Sequence, residues 1–303
     1  MKRCFAALPS LALLVCLAPA QDEPKLLEPV NLPFNTDKDE DDPHVSSNNL
    51  TFFYVTNANK KLEIMSSTRK TAKDPWPAGQ LLASIKSKDA DFRSPFLTAD
   101  GKFPQRFYYS SNQDPLTKGA KGDNYDIYFL VKIDAKAEFG SYNAVVTIGT
   151  EMDEMHPWLT PDARTLYFSR RSAEGRWYNR KKVWRVFVTT RADSGGVRGF
   201  GVPRMVDLPP NFHHATLTPD GGTMYLQGPL EGGRWGLFVS TRTARGWASP
   251  EPLTLLNSPD APTGDRSPNL SRDGGLLYFA SDRPGGKGGL DLWAIPTAQL
   301  HRK

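Results

Sequence analysis

The 303-residue chain has two cysteines, Cys4 and Cys16, and both fall among its first twenty residues. A chain cut after Ala20 keeps neither, which excludes disulfides, a thiol nucleophile and cysteine-bound zinc. Long apolar runs are missing as well. The stretch Leu11–Leu17 is far shorter than the roughly 20 residues a membrane-spanning helix needs, and no later stretch is longer. Helical periodicity of useful length is absent. Neither G-x-S-x-G nor H-E-x-x-H occurs, so there is no sign of a nucleophile elbow or a zinc-protease helix. Charge of one sign is not in large excess. The net +5, to which Lys2 and Arg3 contribute, is not the footprint of a nucleic-acid binder.

What is present begins with a leader. Lys2 and Arg3 precede the apolar stretch, and Ala18-Pro19-Ala20 is a small-x-small cleavage site. Residues 1–20 therefore read as a secretory signal peptide and 21–303 as one domain. Lipidation at Cys16 is not expected, because Val15 occupies a position that wants a small residue. The expected location is periplasmic or secreted. Without disulfides the exported chain must be held by its own core, and its length allows one.

Five related segments follow. They are P-H-V-S-S-N-N-L-T-F-F-Y from Pro43, P-F-L-T-A-D-G-K from Pro95, P-W-L-T-P-D-A-R-T-L-Y-F from Pro157, A-T-L-T-P-D-G-G-T-M-Y-L from Ala215 and P-N-L-S-R-D-G-G-L-L-Y-F from Pro268. Their near-even spacing of about 50–60 residues, with strand-like content, points to propeller blades. Each has a short strand, a turn built on Asp and usually Gly, and an aromatic second strand. A third strand follows a polar loop, and a looser fourth contains G-Q-L-L, N-A-V-V, R-M-V-D-L or P-L-T-L-L. The fifth unit lacks a fourth strand, whereas L-L-E-P-V-N-L-P from Leu26 resembles P-E-P-L-T-L-L-N-S-P from Pro250. The expected fold is all-β: a five-bladed β-propeller of four-stranded blades, its last blade closed by the N-terminal strand. Closure protects the two sheet edges that an open ring would leave bare.

The pattern L-[ST]-x-D-G-G-x-L-Y-F-x-S-D-R-x-G-G-x-G-x-x-D-L-[YW], sharpest from Leu270 to Trp293, resembles the WD40-like repeats of TolB-type periplasmic propellers of the bacterial envelope. Repeat one departs from it, with Ser47-Asn48-Asn49 in place of x-D-G. The resemblance implies a binding or scaffold module for an envelope protein, peptidoglycan or another polysaccharide. No cofactor, nucleic-acid partner or transmembrane segment is expected, and the chain is expected to be a monomer. A second resemblance lies in D-D-P-H-V-S-S-N-N-L-T-F-F-Y-V-T, which is similar to the first blade of five-bladed arabinanase and xylosidase-type glycoside hydrolases. That likeness implies Asp42 as general base and Glu154 as general acid. The second blade departs, with Phe96 where a supporting carboxylate is expected and Asp91 off register.

Propellers concentrate chemistry at one rim of the central channel. The inner strands bring Asp42, Arg93, His156, His214 and Arg266 toward the axis. The loops between second and third strands add Arg176, Trp177, Arg234 and Trp235, and aromatics beside cations suit sugar faces and anionic polymers. A metal held by His156 with one histidine of the 213/214 pair, near Asp153 and Glu154, is conceivable, but none is expected. The pair sits on adjacent positions of one strand, so at most one should face the channel. The run Gly285–Gly289, interrupted by Lys287, is not a phosphate loop, since no helix follows it.

Overall fold

The computed structural model describes residues 27–85, 87–113, 121–175, 181–191 and 199–300. The expected signal peptide, Arg176 and Trp177 lie outside them. Five antiparallel sheets correspond one-to-one with the five repeats. Their inner strands are Glu40–Val45, Phe92–Leu97, Glu154–Leu159, His213–Leu217 and Asp265–Leu270. The second strands start at Thr51, Gln105, Thr165, Thr223 and Leu276, and the third at Glu63, Lys121, Lys181, Trp235 and Asp291. The fourth strands are two-residue pairings at Gln80–Leu81, Asn143–Ala144, Arg204–Met205 and Glu251–Pro252, with an extra ladder at Gly246–Trp247 in the fourth blade. Among the described residues only two short 3₁₀ turns depart from this all-β plan.

The first two strands of each blade meet in a turn whose chemistry is repeated. Thr160, Thr218 and Ser271 each donate their hydroxyl to the Asp two residues on, at 2.6, 2.5 and 2.6 Å. The same hydroxyl oxygens accept the N–H groups of Thr165, Thr223 and Leu276. The next residue takes a positive φ: 54° at Ala163, 70° at Gly221 and 75° at Gly274. Repeat one departs in letters but not in backbone, because Asn49 stands in that region at 59°, which Asn tolerates better than most side chains. The second strands carry much of the core, Phe52, Phe107, Phe168, Leu226 and Phe279 all being at most 1% exposed. Neighbouring blades cover them on both faces, and the apolar clusters run across blade boundaries.

Closure is done by the N-terminal segment. Val30 and Asn31 pair with Ala294 and Trp293 of the last blade. Asn35 then clips the same strand from both sides: its amide donates to Leu292 O at 2.8 Å and accepts Leu292 N–H at 3.0 Å. Lys287 donates to the carbonyls of Pro33 and Asn35 at 2.8 and 3.0 Å. The glycine-rich stretch of the fifth blade is part of this seam. A Cβ on Gly288 would run into the Lys38 carbonyl, and one on Gly289 into the Asp39 carboxylate. The glycines let this stretch of the last blade lie close against segment 36–39, which joins the closing strand to the first blade.

Two predictions follow from these contacts. Asn35→Ala removes two buried hydrogen bonds and leaves the Leu292 amide unpaired, so it should cost about 2–4 kcal/mol, read as a lower urea midpoint. The second concerns acid. The Ser and Thr hydroxyls, followed by backbone N–H groups, hold the carboxyls of Asp220 and Asp273 below the ordinary range, and the Thr160 hydroxyl does so for Asp162. Groups depressed in the folded state stabilise above their unfolded pKa, and the contribution is lost as pH falls through the folded value. Stability should therefore drop below about pH 4, and the Asp162→Asn/Asp220→Asn/Asp273→Asn variant should show a shallower acid limb in pH-dependent thermal melts.

Candidate functional site

Each inner strand carries the same irregularity. The register slips after its second residue or thereabouts, between Asp41 and His44, Arg93 and Phe96, Met155 and Trp158, His213 and Thr216, and Arg266 and Asn269. At the bulge one residue per blade has positive φ: Asp42 at 49°, Ser94 at 52°, His156 at 56°, His214 at 52° and Ser267 at 53°. A proline follows in four of the five. Glycine would take this backbone most easily, yet every blade places a polar side chain there. Four of them, Asp42, Ser94, His156 and His214, line a cavity of about 10 Å³ at the axis. Below them Phe96, Trp158, His44 and Asn269 line a second cavity of about 30 Å³.

Asp42 is the hub of the upper layer and is 1% exposed. Its Oδ2 accepts from Arg93 Nε at 3.2 Å and from Ser94 N–H at 3.0 Å. Its Oδ1 receives the Ser267 hydroxyl at 3.3 Å and stands 3.9 Å from His214 Nδ1. Arg93 also reaches Asp41 Oδ2 at 2.9 Å. Burial by itself pushes the Asp42 carboxyl up, but Arg93, His214 and the Ser94 N–H together hold it below its usual value. The histidines move the other way. Burial pushes His156 well below the usual imidazole value and lowers His214, and the two rings stack at 3.9 Å. Their Nδ1 atoms are buried and have no hydrogen-bond partner. Donor atoms of Asp42, His156 and His214 lie within 4.8 Å of one another.

His213 does not join that layer. Its Nδ1 contacts the Asn211 carbonyl at 3.0 Å, its ring stacks on Trp184 at 5.2 Å, and Trp235 meets it edge-on at 5.1 Å. Burial takes it to about 3. Trp184 was not singled out by the sequence. It lies on the third strand of blade three, where the register sets it opposite Arg171, whose guanidinium is 5.9 Å from the indole. Trp184 and Trp235 are half-buried, so this wall of rings opens on the rim.

The remaining sequence candidates have other employment. Glu154 is fully buried and accepts the Thr150 hydroxyl, the Thr150 N–H and Arg170 Nε, the last at 2.7 Å. Burial raises its carboxyl, against the Thr150 and Arg170 bonds. Glu40, two residues before Asp42 as Glu154 is two before His156, makes the same clamp with Thr36, so the arrangement belongs to the blade. Asp91 and Asp153 accept the N–H groups of Leu62 and Tyr125 in the preceding blades, bracing one blade to the next. Arg234 caps the carbonyls of Ser258 and Pro259 at 3.0 and 3.1 Å. Arg266 has a buried Nε without a hydrogen-bond partner. The carboxylate that structure brings to His156 and His214 is thus Asp42, from another blade, and not the adjacent Asp153 or Glu154.

Arg93 is the counter-charge of an almost fully buried carboxylate. Arg93→Met should destabilise the protein by about 3–5 kcal/mol, measured by chemical denaturation, whereas Arg234→Met should cost well under half as much.

No protein-family model matches the chain, and no curated protein sequence does. Solved structures do match in shape. A thermostable family-43 glycoside hydrolase aligns with a TM-score of 0.58 at 13% identity, covering 87% of this chain and 90% of that one. The catalytic domain of a family-62 α-L-arabinofuranosidase from Coprinopsis cinerea gives 0.55 at 12% identity, covering 87% and 98%. TolB from Acinetobacter baumannii gives 0.48 at 15% identity over 86% of this chain, which spans 54% of the TolB chain. At these identities the common element is the fold, so the chain is a five-bladed β-propeller whose architecture is shared with family-43 and family-62 hydrolases.

Proposed function

We propose that this chain is an exported, monomeric, non-catalytic propeller that binds a glycan of the cell envelope, such as peptidoglycan, at the rim where its inner strands begin. The observation that carries this reading is the contrast between the two parts of the rim. The carboxylates of Asp42 and Glu154 are buried and committed to partners within the chain. The rings of Trp184 and Trp235, with Arg171 beside the first, stand half-buried at the opening. Flat aromatic faces with a cation at the edge match the apolar faces and acidic groups of sugars. Among the described residues no helix is long and apolar enough to cross a membrane, which fits release into the periplasm or medium after cleavage at Ala20.

One observation favours a second reading, a glycoside hydrolase with Asp42 as base and Glu154 as acid: burial raises the Glu154 carboxyl, as a general acid requires. The matching clamp on Glu40 accounts for the same shift without catalysis.

The deciding experiment pairs binding with turnover. The purified protein should co-sediment with peptidoglycan sacculi, and Trp184→Ala and Trp235→Ala should each weaken retention about tenfold, the equivalent of ~1.4 kcal/mol for a lost stacking face. Retention unaffected by both variants, with capture of an envelope protein instead, replaces the glycan by a protein partner. Turnover of aryl pentosides that Glu154→Gln abolishes overturns the non-catalytic reading.

A further inference from the structure

The ring of five bulge residues does not divide its work evenly. Ser94 and Ser267 serve Asp42, offering an N–H and a hydroxyl respectively. His156 and His214 serve nothing within the chain through Nδ1, although they are 9% and 7% exposed. A buried polar atom left without a partner is costly, and here one lies on each of two rings stacked at 3.9 Å. Positive φ recurs in all five blades and so explains none of this.

We infer that Asp42 Oδ1 and the imidazoles of His156 and His214 form a binding site for one divalent first-row transition ion, Zn²⁺ being the simplest probe, at the mouth of the central channel. Several observations agree on it. The donors are already gathered within 4.8 Å, around a cavity with room for a single atom-sized guest. An ion bound at about 2.0–2.1 Å requires the two rings, stacked at 3.9 Å and 16° apart, to turn so that one nitrogen of each points at it. The carboxylate is oriented from behind: Oδ2 is held by Arg93 and Ser94, which leaves Oδ1 turned toward His214. This is how ligating carboxylates are usually supported. The local charge also suits a cation. Asp41 and Asp42 outweigh Arg93 by one negative charge. Two imidazole nitrogens with a single carboxylate oxygen favour a transition ion over Ca²⁺, which takes six to eight oxygens. Three protein ligands leave a coordination position for water or for an oxygen of whatever binds the rim. His156 lies 5.9 Å from the Trp184 ring, so the site adjoins the stacking wall, but a metal titration tests it with no glycan present.

The test uses the full mature protein, freed of any histidine tag and stripped with a chelator. Titration with Zn²⁺ should show one equivalent bound per chain and a raised melting temperature. X-ray absorption of the loaded protein should show imidazole scattering from two histidines. His156→Gln and His214→Gln should each weaken Zn²⁺ binding at least tenfold, whereas His213→Gln, which alters the neighbouring ring outside the site, should leave it within about threefold. If either glutamine variant fails to fold, the absorption spectrum of the unaltered protein decides by itself. Absence of stoichiometric Zn²⁺, a spectrum without imidazole, or displacement of Zn²⁺ by equimolar Ca²⁺ would overturn the proposal and leave an ordered water as the occupant of the cavity.

Discussion

The ring depends on a short seam. Val30 and Asn31 lend the last blade its outer strand, and Asn35 fixes that strand through both the N–H and the carbonyl of Leu292. Without the seam, two sheet edges would stand open. The constraint reaches into composition. Gly288 and Gly289 stand where any side chain would collide with the segment 36–39, and Lys287 crosses to two carbonyls of the closing segment. A stretch that looks like a flexible basic loop is a fitted joint between the two ends of the described fold.

A second constraint, nested within the first, shapes the axis. Five inner strands converging on one line cannot all present a normal pleat to it. Each strand gives up a residue to a bulge, and the left-handed residue there aims its side chain inward. Placing a polar group at all five positions creates a small buried polar network. Asp42 is the only carboxylate at the five bulge positions, Arg93 is its counter-charge, and the unpartnered Nδ1 atoms of two imidazoles are the unused capacity. The same geometry explains the behaviour of adjacent histidines. His214 occupies the bulge and looks to the axis, while His213 lies between Trp184 and Trp235.

The architecture was legible because it rests on local chemistry that repeats. The hydroxyl–Asp–Gly turns at Thr218 and Ser271 follow from the side chains' own preferences. The resemblance of residues 26–33 to the outer strand of blade four anticipated the closure. The site was only partly legible. Asp42, Arg93, His156 and His214 were expected near the axis, but which of them touch depends on the bulge and on the order of blades around the ring. Sequence proximity suggested Asp153 and Glu154 as companions of His156. In space both are turned away, one to brace Tyr125 and the other to clamp Thr150. Trp184 was missed because a lone aromatic on a third strand looks like core until its register with Arg171 is known.

The sequence by itself thus determined the number of blades, the strands in each and the means of closing the ring, since hairpin turns and strand pairing are decided within a few tens of residues. The tertiary structure alone decided that Asp42 on the first blade, His156 on the third and His214 on the fourth share one buried point. The reason is geometric. Neighbours around a propeller axis lie one or more whole blades apart in the chain, and only the closed ring, with each inner strand turned by its bulge, brings their side chains to the same place.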